Sequence, residues 1–221
     1  MNSHITEKKV PKATAKRLPL YLRYLKMLKD SGVTRIKSRE FSEMIQVPSA
    51  TIRRDFSHLG ELGRSGYGYD VPYLIEVFNG ILNTQEEKRI ALIGCGNLGK
   101  ALLKNNFRRN ENLNIVCAFD NSPALIGTKI DDKTIYSIAE LKAITKKEGV
   151  TVAISTVPSQ YAQAAIDEIT AAGITAILNF APDRVVVPDN VKVQYIDLTT
   201  ELQTLIYFDE TFPATKQVAK Q

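Results

Sequence analysis

The stretch ALIGCGNLGKALL (91–103) holds the spacing in this sequence with the most chemical content. Gly94, Gly96 and Gly99 form G-x-G-x-x-G: the first glycine allows a tight turn, the second lets backbone approach a phosphate, and the third lets a helix pack close to a strand. An apolar strand-like run precedes them and a helical run follows. The backbone from Gly94 through Cys95, Gly96, Asn97, Leu98 and Gly99 is therefore placed to face a pyrophosphate at a helix start. Asp120 ends the next apolar run, 21 residues after Gly99, where a carboxylate accepts hydrogen bonds from the ribose hydroxyls of adenosine. The same charge repels a 2′-phosphate, so the expected ligand is NADH or NAD+ rather than NADP. A purely structural glycine turn is the alternative.

Two further stretches end later strand-like runs, where ligands of parallel sheets bind. These are Thr156-Val157-Pro158 after Ser155, and Asn179-Phe180 before Ala181-Pro182. Hydride transfer would also need a proton donor or acceptor beside the nicotinamide, and the sequence offers none in register. Its two histidines, His4 and His58, lie in the first third, and no Tyr has Lys four positions on. Cys95 inside the glycine loop reads as a small buried residue, not a nucleophile. No HExxH or metal-spaced Cys/His cluster occurs, so no metal and no catalytic residue is expected. Asp197 and Glu201 read as charges at a helix start. About 130 residues hold one nucleotide fold and leave no substrate domain.

The elements that must position these residues follow from periodicity. Strands are predicted at Arg89–Ile93, Asn114–Phe119, Val150–Ser155, Ala176–Phe180 and Lys192–Ile196, with helices at Asn97–Phe107, Ala139–Lys147 and Gln160–Ala172. Apolar strands with helical crossovers make a doubly wound parallel sheet. A last amphipathic helix, Leu198–Phe208, places Leu198, Leu202, Leu205 and Phe208 on one face. Before the polar run 83–88 the chain reads as helices. Thr14 caps the first and Pro19 belongs to its first turn. Ser38 caps the second, Ser49 opens the third after Val47-Pro48, and a fourth runs from Pro72 to Leu82. Between the third and fourth, the glycines and tyrosines of GELGRSGYGY (60–69) predict a tight β-hairpin. The organisation expected is 1–84, 85–197 and a C-terminal helix with its tail, 198–221.

Composition excludes several classes. No apolar run reaches the roughly 20 residues of a membrane helix, and the basic N-terminus lacks the apolar core of a secretion signal, which predicts a cytoplasmic protein with reduced thiols. The net charge of +5 is uneven. Residues 1–80 carry 14 Lys+Arg against 8 Asp+Glu, whereas residues 81–221 carry 15 against 16. The basic excess sits with VPSATIRRDFS (47–57), whose small and hydroxyl residues Ser49, Ala50 and Thr51 open a short helix carrying Arg53 and Arg54. In a helix-turn-helix such residues reach bases and phosphates. The hairpin behind it makes this a winged helix, with Arg64 and Tyr67 at the wing. Arg17 and Ser57 complete the candidate DNA contacts, and double-stranded DNA is the expected partner.

These segments together resemble the family of redox-sensing transcriptional repressors called Rex. The resemblance rests on ATAKRLPLYLRYL (13–25), SATIRRDFSHLGELGRSGYGYDV (49–71), GCGNLG (94–99), AFD (118–120), STVP (155–158), ILNFAP (177–182) and IDLTTELQTLIYF (196–208). It implies an N-terminal winged helix, a C-terminal Rossmann-type sheet and a C-terminal helix exchanged between the subunits of a homodimer. It also implies release of palindromic operator DNA when NADH binds. Arg23 and Asp197 would form a state-dependent contact between subunits, and many members carry Tyr where this chain has Asn105, at the same switch. His58-Leu59 stands in place of a usual aromatic pair, and Ser65 in place of a second basic wing residue. A small NAD-dependent dehydrogenase and a DNA-binding regulator of another nucleotide ligand, such as coenzyme A, are the competing readings.

Overall fold

The computed structural model describes residues 10–64, 66–105, 107 and 112–211, with only the backbone of Arg64. Contacts divide the chain into two compact units, Met1–Glu86 and Glu87–Gln221.

In the first unit, α1 (Lys12–Asp30) turns Leu18, Tyr21, Leu22, Leu25 and Leu28 inward. α2 (Ser38–Ile45) and α3 (Ser49–Ser57) form a helix-turn-helix around Gln46, which adopts a left-handed conformation with φ of 56°. α4 (Val71–Leu82) packs on α1. Tyr21, Phe41, Phe56 and Phe78 fill the centre, with the Tyr21 and Phe56 rings edge-on at 5.7 Å. The hairpin is β2 (Gly63–Arg64) and β3 (Gly68–Asp70), and β3 also pairs with β1 (Arg35–Ile36).

Three local readings need correction here. Pro11, not Thr14, occupies the N-cap of α1, and Pro19 lies inside the helix. Proline there removes one helical hydrogen bond to the carbonyl four residues back. That carbonyl belongs to Ala15, which is exposed like Pro19, so water can satisfy it. Ser38 is the first residue of α2, and the N-cap is Lys37, whose N–H donates to the Glu40 carboxylate at 3.1 Å.

The second unit is a seven-stranded sheet: β4 (Lys88–Ile93), β5 (Leu113–Asp120), β6 (Lys129–Ile130), β7 (Lys133–Ser137), β8 (Val152–Ser155), β9 (Ala176–Asn179) and β10 (Lys192–Tyr195). Their order is β10-β9-β8-β4-β5-β7-β6, parallel except for the β6–β7 hairpin, which the sequence reading missed. The two short strands carry too little apolar alternation to stand out. α5 (Asn97–Asn105), α6 (Leu141–Lys147) and α7 (Ser159–Ala171) are the crossovers. Along β4 the residues alternate between two cores, Ile90 and Leu92 in one, Ala91 and Ile93 in the other. Both sheet faces are thus buried, as doubly wound folds require. Strand order reverses between β4 and β8, where ligands of such sheets bind. α8 (Leu198–Thr211) follows β10 and buries none of its residues.

Candidate nucleotide site and nucleic-acid interface

At the reversal point each glycine of the fingerprint has its own physical reason. Gly94 has φ of +92°, and a Cβ on it would stand 3.0 Å from Val157 Cγ1. A Cβ on Gly99 would lie 2.1 Å from the Gly94 carbonyl oxygen, because the first turn of α5 presses on the loop. Around Gly96 the same test finds nothing within 4 Å. No neighbour in the protein therefore demands glycine at position 96, and the space a side chain would take is open for a ligand. The Thr156 hydroxyl donates to the Gly94 carbonyl at 2.6 Å and fixes the loop to the end of β8.

Asp120 ends β5 and faces the same cleft of about 690 Å³. One carboxylate oxygen accepts the Cys95 N–H at 2.7 Å and the other accepts the Ser122 N–H at 2.8 Å. An ionised carboxylate offers about four acceptor positions, so two remain for a vicinal diol while the N–H bonds hold the group in place. Gly94, Gly96, Asn97, Thr156, Val157 and Pro158 line the cleft with it. The sequence reading missed Asn121, Leu125, Ile138, Tyr161, Ala165 and Glu168, which line it too. The apolar ones make a slot for a flat ring. Asn121 follows Asp120 directly and could have been inferred. Ile138 and α7 reach the cleft only through the crossover, which no local spacing reveals.

Other expected site residues do not line the cleft. Cys95 is fully buried, and its N–H is committed to Asp120. Leu98 is 40% exposed and is not among the lining residues, while Gly99 is buried beneath the loop. Asn179 is buried, its amide donating to the Ala181 carbonyl at 3.2 Å and accepting the Ala181 N–H at 3.3 Å. It shapes the turn after β9, and Phe180 packs against the core beside it.

Burial pushes the Cys95 thiol up to about 12, with the Asp120 charge adding to the shift. Burial likewise pushes Cys117 up to about 12, helped by Glu148. Only thiolate attacks disulfides. Neither cysteine is therefore expected to react with Ellman's reagent at pH 8 in the folded protein, and both should react once guanidinium unfolds it. Rapid labelling of the native protein would contradict this burial.

The first unit presents a different surface. α3 buries Ile52 and Phe56 and exposes Arg53, Arg54 and Ser57. Ala50 is exposed at its start, with Ser49 and Thr51 half-buried. Arg53 extends to the Ser38 hydroxyl at 3.5 Å. The Ser57 hydroxyl donates to the Arg54 carbonyl at 2.7 Å, so it serves its own helix. Tyr67 stands 66% exposed at the wing between Gly66 (φ 77°) and Gly68 (φ 81°). Ser65 and the Arg64 side chain lie outside the described residues.

Arg17 departs from its expected role. Its Nε and Nη2 both donate to Asp55 at 2.7 Å, and Asp55 also accepts from Thr14 Oγ1 at 2.8 Å and Tyr21 Oη at 2.6 Å. The guanidinium thus ties α1 to the core side of α3 through two of its nitrogens. Burial alone would raise the pKa of Asp55. The hydrogen bonds from Arg17, Tyr21 and Thr14, with the Arg17 charge, outweigh it and hold the carboxyl below its ordinary value.

The expected switch residues fall in separate units. Arg23 is exposed on α1, and Asn105 ends α5. Asp197 caps α8, accepting the Thr199 N–H at 2.9 Å and the Thr200 hydroxyl at 2.6 Å. The hydrogen bonds from Thr200 lower its pKa.

Known proteins combine these two sites in one chain. Over 206 residues the chain is 82% identical to redox-sensing transcriptional repressor Rex 2 of Enterococcus faecalis, covering 93% of this chain and 96% of that protein. The chain belongs to the Rex family. The Rex of Latilactobacillus sakei is 52% identical over 201 residues, covering 91% of this chain and 97% of that protein. Among solved structures, the Rex-family repressor RSP in complex with beta-NAD+ and operator DNA matches with a TM-score of 0.83 at 33% identity, covering 95% of both chains. RSP in complex with beta-NADH matches with a TM-score of 0.81 at 32% identity, covering 95% of this chain and 97% of that one. Two family models also match, "CoA binding domain" over residues 85–183 and "Putative DNA-binding protein N-terminus" over 9–57. The fold is therefore that of Rex: a winged helix-turn-helix followed by a Rossmann-type sheet.

Proposed function

We propose that this protein is an NADH-responsive transcriptional repressor, which binds palindromic operator DNA as a homodimer and leaves it when NADH binds. One observation carries the reading: the chain joins a dinucleotide cleft with a ribose-side carboxylate, Asp120, to a winged helix that exposes Arg53 and Arg54. The relatives agree, since RSP has been crystallised with operator DNA and with both nucleotide redox forms.

The protein is a repressor and not an enzyme. Among the described residues the one phenol in the cleft wall, Tyr161, has Ala165 four positions on, where a proton relay would need a lysine. Among the described residues no His/Cys/Asp/Glu cluster suits a metal. Coenzyme A, despite the name of the matching family model, bears a phosphate on its ribose that would meet the Asp120 charge. The free hydroxyls of NADH instead find acceptors there.

Residues 198–221 act in this reading as a separate piece, exchanged between subunits. α8 exposes Leu198 (70%), Leu202 (56%), Leu205 (63%) and Tyr207 (59%), an apolar surface that a second subunit would cover. Arg23, Asn105 and Asp197 then lie where nucleotide and DNA states are coupled. No described helix is long and apolar enough to cross a membrane, and DNA as ligand supports a cytoplasmic location. NADH differs from NAD+ by charge and ring shape, so a pocket favouring one form shifts the dimer between two arrangements.

The test is fluorescence anisotropy on a labelled AT-rich palindrome with protein alone, with NADH and with NAD+. Binding that NADH abolishes at concentrations where NAD+ does little is the expected result. Binding that neither nucleotide alters would remove the redox response, and no binding at low salt would remove the repressor reading itself.

A further inference from the structure

Arg35 was not among the residues that sequence spacing brought forward, yet its setting is unusual. Its guanidinium carbon lies 4.3 Å above the centroid of the Tyr67 ring, and both side chains are exposed. Asp70 is the direct cross-strand partner of Arg35 in the β1–β3 ladder. Even so, the two form no ion pair among the described residues, and one Asp70 oxygen accepts the Tyr73 N–H at 2.9 Å. Arg35 has no hydrogen bond or salt bridge among the described residues. A guanidinium stacked on an aromatic face keeps all five N–H donors directed outward. The stack restricts the rotamers of a long side chain that would otherwise lose much freedom on binding.

The location matters as much as the geometry. Arg35 stands three residues before Ser38, whose hydroxyl meets Arg53 of the recognition helix. Extended backbone spans at most about 3.3–3.6 Å per residue, so Arg35 lies within roughly one turn of DNA of the α3 surface. On its other side is the wing. A planar fork held beside the wing, with no hydrogen-bond acceptor among the described residues, suits a phosphodiester oxygen pair.

We infer that Arg35, held by the Tyr67 ring, is a further DNA contact that binds the phosphate backbone beside the wing. The inference rests on the repressor reading and names a contact within it. Tyr67 acts here as the positioning residue and Arg35 as the ligand-binding one.

The experiment is operator binding by anisotropy over a series of salt concentrations, using full-length wild type, Arg35→Ala, Arg35→Lys, Tyr67→Leu, the Arg35→Ala/Tyr67→Leu double variant and Arg53→Ala. Losing one phosphate contact lowers the slope of log K against log salt by about 0.9. Arg35→Ala should show that drop and bind about tenfold more weakly. Arg35→Lys should keep the slope while recovering only part of the affinity, since a lysine has no planar fork. The double variant should be no weaker than Arg35→Ala, because the ring acts through the guanidinium. A wild-type slope in Arg35→Ala, with Arg53→Ala severely weakened, would overturn the contact and leave the repressor reading intact. Strictly additive losses in the double variant would overturn the positioning role of Tyr67. Absence of wild-type binding would remove both readings together. Far-UV circular dichroism and the urea midpoint of the first unit confirm that each variant is folded.

Discussion

Asp55→Asn should strongly destabilise the DNA-binding unit while leaving the nucleotide cleft working. The wild-type carboxylate, 3% exposed, receives four hydrogen bonds from three side chains and carries the charge opposite Arg17. Breaking a buried pair by neutralising one partner costs about 3–5 kcal/mol, since the other charge is left without compensation. Small domains have total stabilities of about 5–15 kcal/mol. Arg17 is 29% exposed and can recover some hydration, which puts the loss toward the lower part of that range. The measurement pairs two readouts on one sample: the urea midpoint of the first unit should fall, while NADH affinity remains near wild type. The pH dependence follows from the same group. Its folded pKa lies below the unfolded value of about 3.9, so its contribution is fully present above that value and is lost as pH falls through the folded pKa. Urea midpoints of the wild type should therefore drop below about pH 4 more steeply than those of Asp55→Asn. Equal slopes would mean that Asp55 does not carry the acid sensitivity.

Asp55 also shows what a sequence conceals. In SATIRRDFS it reads as one more charge on a basic helix, while Thr14 reads as a cap and Arg17 as a DNA contact. Thr14 and Arg17 are both partners of Asp55, across 41 and 38 residues of chain, and no local rule looks that far. Local rules succeeded where the determinant is local. The glycine spacing, the acid at Asp120 and the turn at Val47-Pro48 each depend on adjacent backbone, and the structure brings Gly94, Gly96, Asp120 and Thr156 to one cleft. Asn179 carries a contact that strand-end position does not reveal, since its amide satisfies the backbone of Ala181. Tyr161 and Glu168 were missed because helical spacing gives the face of α7 and not what that face meets. Arg35 needed the hairpin register and the Tyr67 rotamer before its stacking on that ring became visible.

The glycine loop gives the second large effect, and two substitutions of the same size should behave differently. Gly99→Ala places a methyl 2.1 Å from the Gly94 carbonyl oxygen and 3.1 Å from its carbon, both backbone atoms. Gly94 cannot retreat freely, because Thr156 and Val157 already stand 3.0–3.1 Å from its own Cβ position and the Thr156 hydroxyl holds its carbonyl. Relief must separate α5 from the loop, at a cost of about 1–3 kcal/mol or more, and it moves every N–H that would face the pyrophosphate. NADH affinity is expected to fall at least about a hundredfold, which corresponds to roughly 2.7 kcal/mol. The first unit is untouched, so the variant should still bind operator and should no longer leave it at NADH concentrations that release the wild type. Gly96→Ala differs in mechanism, since the added methyl meets nothing within 4 Å. Its melting temperature should stay at the wild-type value while NADH affinity falls, because the methyl occupies ligand space. Stability therefore separates the two glycines even where binding does not. If Gly96→Ala binds NADH as tightly as the wild type, the pyrophosphate does not pass over Gly96, and the opening there would need another occupant.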